Sequence, residues 1–298
     1  MADMQKPKIG MVGIGLMGHG IASNILKKGY PLRVLEHAGN QPLDELKAAG
    51  AETATSACAL AAWADVVILC VTGSPQVEVV LLGGGGDDGV LKGLRAGGVV
   101  VDCSTAVPAS TERLAEAVRA AGGRFMDAAM TRTPKEAAEG RLNLLVGADA
   151  GLLAECRPLL ECFAENITHA GPIGAGHRMK LLHNYVSLGT VALLAEAAAC
   201  AQRAGVDPAV FIDVLGKGGG GGVALERLRP YLLAQDPSGL RFALSNAQKD
   251  LGYYRAMAGD TGAVKAIADA VGQTFEQAAV EAGGATLVPE LVRLLAAR

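Results

Sequence analysis

The chain has 298 residues, half of them hydrophobic and 19% charged, with a formal net charge of −3. That much apolar material excludes a disordered chain and supplies core for about two domains. The near-neutral balance excludes a general attraction to nucleic acid or to an anionic membrane, so any positive charge that matters is local.

The start, Met1 to Val12, carries Lys6 and Lys8 before an apolar stretch, as a signal peptide does. Gly10, Gly13, Gly15, Gly18 and Gly20 break that stretch and call for another reading. From Lys8 to Gly171, short β-branched runs alternate with Ala/Leu-rich segments. The patterns predict strands at Ile9–Val12, Leu32–Leu35, Val66–Val71, Val99–Cys103, Arg124–Asp127, Leu142–Val146 and Ile167–His169. Helices are predicted at Gly18–Lys28, Leu43–Ala49, Ser56–Ala62, Gln76–Leu82 and Ala109–Ala121. Continuous apolar strands separated by crossover-length helices imply a parallel sheet covered on both faces.

After Gly171 the strand signal stops. Helical patterns cover His177–Ala204, Pro208–Leu215, Ala224–Leu233 and Leu240–Ala258, then continue to Arg298. The expected fold is α/β, an N-terminal Rossmann doubly wound sheet over residues 1–171 and a C-terminal all-α domain over 172–298, with Gly171–Gly176 as a hinge. The most apolar helix, Val186–Ala201, contains Glu196 and is flanked by charge, which reads as a buried helix and not a membrane span. Two glycine clusters, Gly83–Gly86 and Gly216–Gly222, read as flexible loops. Cys58, Cys70, Cys103, Cys156, Cys162 and Cys200 are scattered without a C-x-x-C pair, the pattern of a reduced, cytoplasmic protein with no structural metal.

The first strand runs into Gly13-Ile-Gly15-Leu-Met-Gly18 and then a helix, giving G-x-G-x-x-G. The first glycine permits the tight turn, the second lets backbone approach a pyrophosphate, and the third lets helix pack on strand. The phosphates would sit against the helix N-terminus, with Leu16 and Met17 supplying N–H groups. Glu36 ends the second strand eighteen residues past Gly18. An acid there accepts hydrogen bonds from ribose hydroxyls and repels a 2′-phosphate, so NAD is the expected cofactor. His37 follows where NADP enzymes often carry a basic residue, which leaves NADP open.

In the helical half, Lys180, His183, Asn184, Ser187 and Thr190 share one helical face, while Leu181, Leu182, Tyr185, Val186 and Leu188 are apolar. A narrow polar stripe with a single lysine suits the wall of a cleft. Carbonyl reduction needs a proton donor beside the oxygen, and a partly buried lysine serves. No Ser/His/Asp set or metal-ligand cluster in the sequence competes for the chemistry.

These residues resemble the β-hydroxyacid dehydrogenase family. The resemblance is carried by Gly13–Gly18 with Ala22-Ser-Asn24, by Asp102-Cys-Ser-Thr105, by Gly174-Ala-Gly-His-Arg-Met-Lys180 with Asn184, and by Lys249-Asp-Leu251. It implies a Rossmann domain, a helical domain that mediates oligomerisation as a homodimer or homotetramer, and an active site between them. It also implies catalytic Lys180, substrate-binding Asn184, cofactor-lining Val71 and Thr72, Thr105 beside the nicotinamide, and Lys249 reaching the cofactor.

The departures narrow the substrate. Where most members carry Ser-Gly-Gly, this chain has Asp127-Ala-Ala-Met-Thr-Arg-Thr-Pro134. That stretch resembles the Gly-Arg-Thr version of the sulfolactaldehyde reductase type, which implies that Arg132 binds a substrate anion. His183-Asn-Tyr-Val-Ser187 is similar to that type's substrate segment, which brings His183, Tyr185, Val186 and Ser187 into the expected pocket. Thr131 in place of glycine and His183 in place of asparagine depart from it. The expectation is an NAD-dependent interconversion of a short β-hydroxy acid or hydroxy sulfonate and its semialdehyde. Alternatives are 3-hydroxyisobutyrate, tartronate semialdehyde, succinate semialdehyde/4-hydroxybutyrate and threonate-like acids. An imine reductase is disfavoured by Lys180, and a non-catalytic NAD-binding scaffold by the retention of Lys180, Asn184 and Lys249.

Overall fold

A computed structural model describes residues 6–84, 86 and 88–298; Gly85, inside the first glycine cluster, lies outside the described residues. Two compact units divide the chain, Met1–Lys180 and Leu181–Arg298.

The first unit runs β1 (Ile9–Val12), α1 (Leu16–Lys27), β2 (Leu32–Leu35), α2 (Asp44–Ala48), β3 (Glu52–Ala54), α3 (Ala57–Trp63) and β4 (Val66–Leu69). It continues through α4 (Ser74–Leu82), α5 (Gly89–Gly93), β5 (Val99–Asp102), α6 (Pro108–Ala120) and β6 (Arg124–Thr131). Then follow α7 (Pro134–Glu139), β7 (Leu142–Gly147), α8 (Ala150–Leu160), β8 (Ala164–Gly171) and the start of α9 (Ala175–Arg203). The sheet has the order β3-β2-β1-β4-β5-β6-β7-β8. The strands alternate their side chains between two cores. Ile9, Met11, Val66, Ile68, Val99 and Val101 pack on one face, and Val12, Val67, Leu69 and Val100 on the other. Burial on both faces is why these strands read as unbroken apolar runs.

One expectation is corrected. The sheet is not wholly parallel, because β7 pairs antiparallel with β6, Asp127 opposite Gly147. The Arg132–Arg141 connection holds only the short α7, and a return to a parallel neighbour needs a crossover of about a dozen residues or more. β8 then pairs parallel with β7 across α8. The expected hinge is also fastened down. The N–H groups of Gly174 and His177 both bond the buried Asp127 carboxylate, at 2.7 and 2.8 Å, so the first unit extends past Gly171 to Lys180.

The second unit contains the rest of α9, then α10 (Pro208–Lys217), α11 (Val223–Ala234), α12 (Leu244–Asp260), α13 (Ala266–Ala282) and α14 (Leu291–Ala296). Its core gathers Leu188, Val191, Leu194, Ala195 and Ala198 of α9 around Leu225, Leu228, Leu251 and Phe275. By length and hydropathy α9 could cross a bilayer, with 44% of its most apolar window buried; in this unit it serves as the core helix. α10 runs through Gly216 to Lys217, so only the later part of the second glycine cluster is loop.

Candidate active site

The glycine turn has the geometry its spacing predicts. Gly13 sits at φ +93°, where a Cβ would stand 2.2 Å from the Cys70 carbonyl oxygen. At Gly18 a Cβ would lie 2.0 Å from the Gly13 oxygen, so helix packs on turn as closely as backbone allows. Gly15, between them, faces open space, and a Cβ there would meet nothing within 4 Å. It caps α1 with no side-chain bond and no acid in the first turn. The N–H groups of that turn, including those of Leu16 and Met17, lack intrahelical partners. The turn therefore fits the diphosphate of a dinucleotide, which would approach at Gly15 and rest on the positive end of α1.

Asn40, which carries no motif signal of its own, joins the turn to the end of β2. Its Oδ1 accepts from Ile14 N–H at 3.2 Å and its Nδ2 donates to the Leu35 carbonyl at 2.9 Å. Glu36 stands exposed at that strand end, 3.1 Å from Lys47 Nζ. Hydrogen bonds from Lys47 and Thr53 hold its carboxyl below the usual range, so it is ionised and able to accept.

At the neighbouring strand ends, Val71 N–H donates to Ser104 Oγ at 3.0 Å, and Ser104 N–H donates to Asp102 Oδ1 at 2.9 Å. The expected cofactor-lining segments, Val71–Thr72 and Thr105, thus belong to one hydrogen-bonded edge. This is also the switch point of the sheet, where the chain leaving β1 turns towards β2 and the chain leaving β4 towards β5, the crevice in which doubly wound folds bind ligands.

A buried histidine ties this edge to Lys180. His177, fully buried in the first turns of α9, places Nε2 3.1 Å from the Ser104 carbonyl and Nδ1 2.7 Å from Thr111 Oγ1. Its Nε2 is also 3.9 Å from Asp102 Oδ2, a buried oxygen that accepts no hydrogen bond among the described residues. Its backbone N–H bonds Asp127, whose carboxyl is pushed up by burial against the opposing pull of His177 and the two N–H donors. Glycines at 147 and 176 make room for that carboxylate, since a Cβ on either would lie 2.4 or 2.7 Å from its oxygens. Lys180 follows His177 by three residues, half-buried on the same helix.

Arg132, the residue just past β6, sits at φ +82°. Its guanidinium donates to the Arg141 carbonyl and pairs with Glu165 of β8. The adjoining α7 is fixed to α1 by Asn24, whose buried amide donates to the carbonyls of Gly20 and Ala137, each at 2.9 Å.

In the second unit Asn184 is buried and donates to Asp250 Oδ2 at 2.6 Å, while His183 Nδ1 lies 3.0 Å from Asn184 Oδ1. Asp250 also pairs with Lys249 Nζ at 2.8 Å. Asp250 therefore joins Asn184 to Lys249, two residues singled out separately in the sequence, and His183 reaches this pair through Asn184. Tyr185 stacks on Tyr254 at 4.1 Å, which makes it a packing residue of this unit. Ser187 is half-buried, and Val186 and Leu182 are exposed, so the apolar side of the stripe is not all core. The signal that could have found Asp102 and Asp127 is an acid set within or closing an apolar run, where a charge needs a built partner; Asp250, between Lys249 and Leu251, carries no such signal.

Residues 8–171 match the NAD-binding domain of 6-phosphogluconate dehydrogenase, and residues 174–295 match the NAD-binding domain of NADP-dependent 3-hydroxyisobutyrate dehydrogenase. The chain is 37% identical over 224 residues to an NAD-dependent L-serine dehydrogenase of Pseudomonas aeruginosa, covering 75% of this chain and 74% of that one. It is 35% identical to a 3-hydroxyisobutyrate dehydrogenase of the same organism over 82% of this chain and 83% of that one. A solved 3-hydroxyisobutyrate dehydrogenase of Salmonella typhimurium superposes with a TM-score of 0.82 at 26% identity, over 96% of this chain and 99% of the other.

Proposed function

Because this chain belongs to the β-hydroxyacid dehydrogenase family, whose members are NAD(P)-dependent oxidoreductases, we propose that it interconverts a short, anionic β-hydroxy acid and its semialdehyde. The observation that carries the reading is the placement of Lys180, on a helix start pinned by His177 and Asp127 to the unit whose glycine turn fits a dinucleotide. The bound nicotinamide supplies or accepts the hydride. In reduction the Lys180 ammonium gives its proton to the carbonyl oxygen and becomes a neutral amine; in oxidation the amine takes the hydroxyl proton. Asn184, one turn along α9, orients the reacting oxygen. Arg132 holds the substrate anion with the N–H groups its Glu165 pairing leaves, or by exchanging that partner.

Relatives named for L-serine and 3-hydroxyisobutyrate both point to short β-hydroxy carboxylates. The arginine adds 2,3-dihydroxypropane sulfonate and sulfolactaldehyde as the sharpest substrate pair. The enzyme is read as soluble, cytoplasmic and homo-oligomeric. Steady-state turnover of these acids, with tartronate semialdehyde and 4-hydroxybutyrate, against NAD and NADP tests the reading. Lys180→Ala is expected to lower kcat by about 10²–10⁴-fold with NADH affinity unchanged. A loss below about tenfold removes Lys180 from proton transfer. A chain that binds NADH and turns over none of the panel is a scaffold instead.

A further inference from the structure

We propose that His177 is a positioning residue, one that sets Lys180 against the loop bearing Ser104 and Thr105. The inference rests on the reading of Lys180 as the proton donor and adds a residue whose side chain touches neither substrate nor cofactor. A carbonyl can only accept, so Nε2 carries the proton given to Ser104, while Nδ1 meets the Thr111 hydroxyl. The ring therefore spans the β5–α6 loop and α6, while its own backbone N–H is fixed on Asp127.

Ser104 is the junction that gives the ring its reach. Its hydroxyl receives Val71 N–H and its own N–H holds Asp102, and Thr105 is the next residue. One imidazole thus connects both expected cofactor-lining segments to the helix turn that carries Lys180. Residues three apart on a helix lie on neighbouring turns of one face, so rotating or withdrawing the ring moves the Lys180 stem with it.

Three substitutions in the full chain separate the ring's two ends. His177→Leu removes both contacts. His177→Gln places an amide nitrogen near the former Nε2 and keeps the donation to Ser104. His177→Asn keeps only the Thr111 side. Hydrogen exchange without cofactor is read over residues 103–107 and 174–181, and kcat, KM, NADH affinity and the primary isotope effect with 4-deuterated NADH are measured alongside. His177→Leu is expected to speed exchange in both segments together and to lower kcat by up to about 10²-fold, the cost of an ångström-scale misplacement. KM and NADH affinity should hold and the isotope effect should change, with His177→Gln restoring these properties and His177→Asn failing to. The proposal is overturned if His177→Leu lowers kcat only in proportion to the folded fraction, with exchange over 103–107 and the isotope effect unaltered. It is equally overturned if His177→Asn rescues as well as His177→Gln. If the wild type reduces none of the panel, the hydroxy acid reading fails alone, and the exchange data still decide whether His177 couples the two segments.

Discussion

Arg132 combines two properties that rarely meet by chance: a left-handed backbone in a non-glycine residue and a guanidinium half-withdrawn from water. Such backbone costs of the order of 1–3 kcal/mol and concentrates at functional sites. Glu165 competes for the same guanidinium as a substrate anion would. Arg132→Ala should raise KM for carboxylate and sulfonate substrates while sparing neutral aldehydes, and Glu165→Gln should lower KM for the same anions. Equal losses for neutral aldehydes would make the arginine structural. Glu36 offers a second test at this scale. Held ionised by Lys47 and Thr53, its carboxylate keeps those contacts above the ordinary carboxylate range and loses them as pH falls through its lowered value. At neutral pH Glu36→Gln should narrow the NAD/NADP ratio of kcat/KM. An unchanged ratio would mean that the ribose is read elsewhere.

Among the elements, the start of α9 depends most on a single side chain. Asp127 receives two N–H groups from it in a pocket shaped by Gly147 and Gly176. Asn at this position accepts with one oxygen and presents an NH₂ to the other donor. Asp127→Asn should therefore cost about 1–3 kcal/mol in urea unfolding, and an unchanged midpoint would show the helix start to be held by packing. This anchoring was not legible in the sequence, where Gly171–Gly176 reads as a loose hinge, because the glycines serve a carboxylate that lies far away in the chain. The strands were legible, since burial on both faces writes itself as apolar runs. β3 was not, its three residues Glu52–Ala54 having no pattern to show, and neither were α7 and α8, which occupy the segments flanking β7. Of the site, the glycine turn, Lys180 and Asn184 stood out by spacing. His177 and Asp250 stood inside the same motifs without a role, because their partners come from other elements.

At the scale of the whole molecule, the open space at Gly15 and the crowded space at Gly13 and Gly18 confine dinucleotide recognition at the turn to the first unit. NADH at about a hundred times its dissociation constant should stabilise the fold by about 2.7 kcal/mol, read as an upward shift in calorimetric unfolding. Gly15→Val, which fills the open space, should abolish that shift while leaving the unliganded transition nearly in place; persistence of the full shift would locate the diphosphate elsewhere. The sheet's last strand carries a different consequence. β8 presents Glu165, Asn166, Thr168 and His169 to solvent, and strands of this polarity make poor templates for recruiting another chain's backbone. The opposite margin, β3, is too short to serve. Both flanks of the sheet are thereby closed to ladder growth between molecules, and the glutamate that restrains Arg132 is one of the residues that keeps them so.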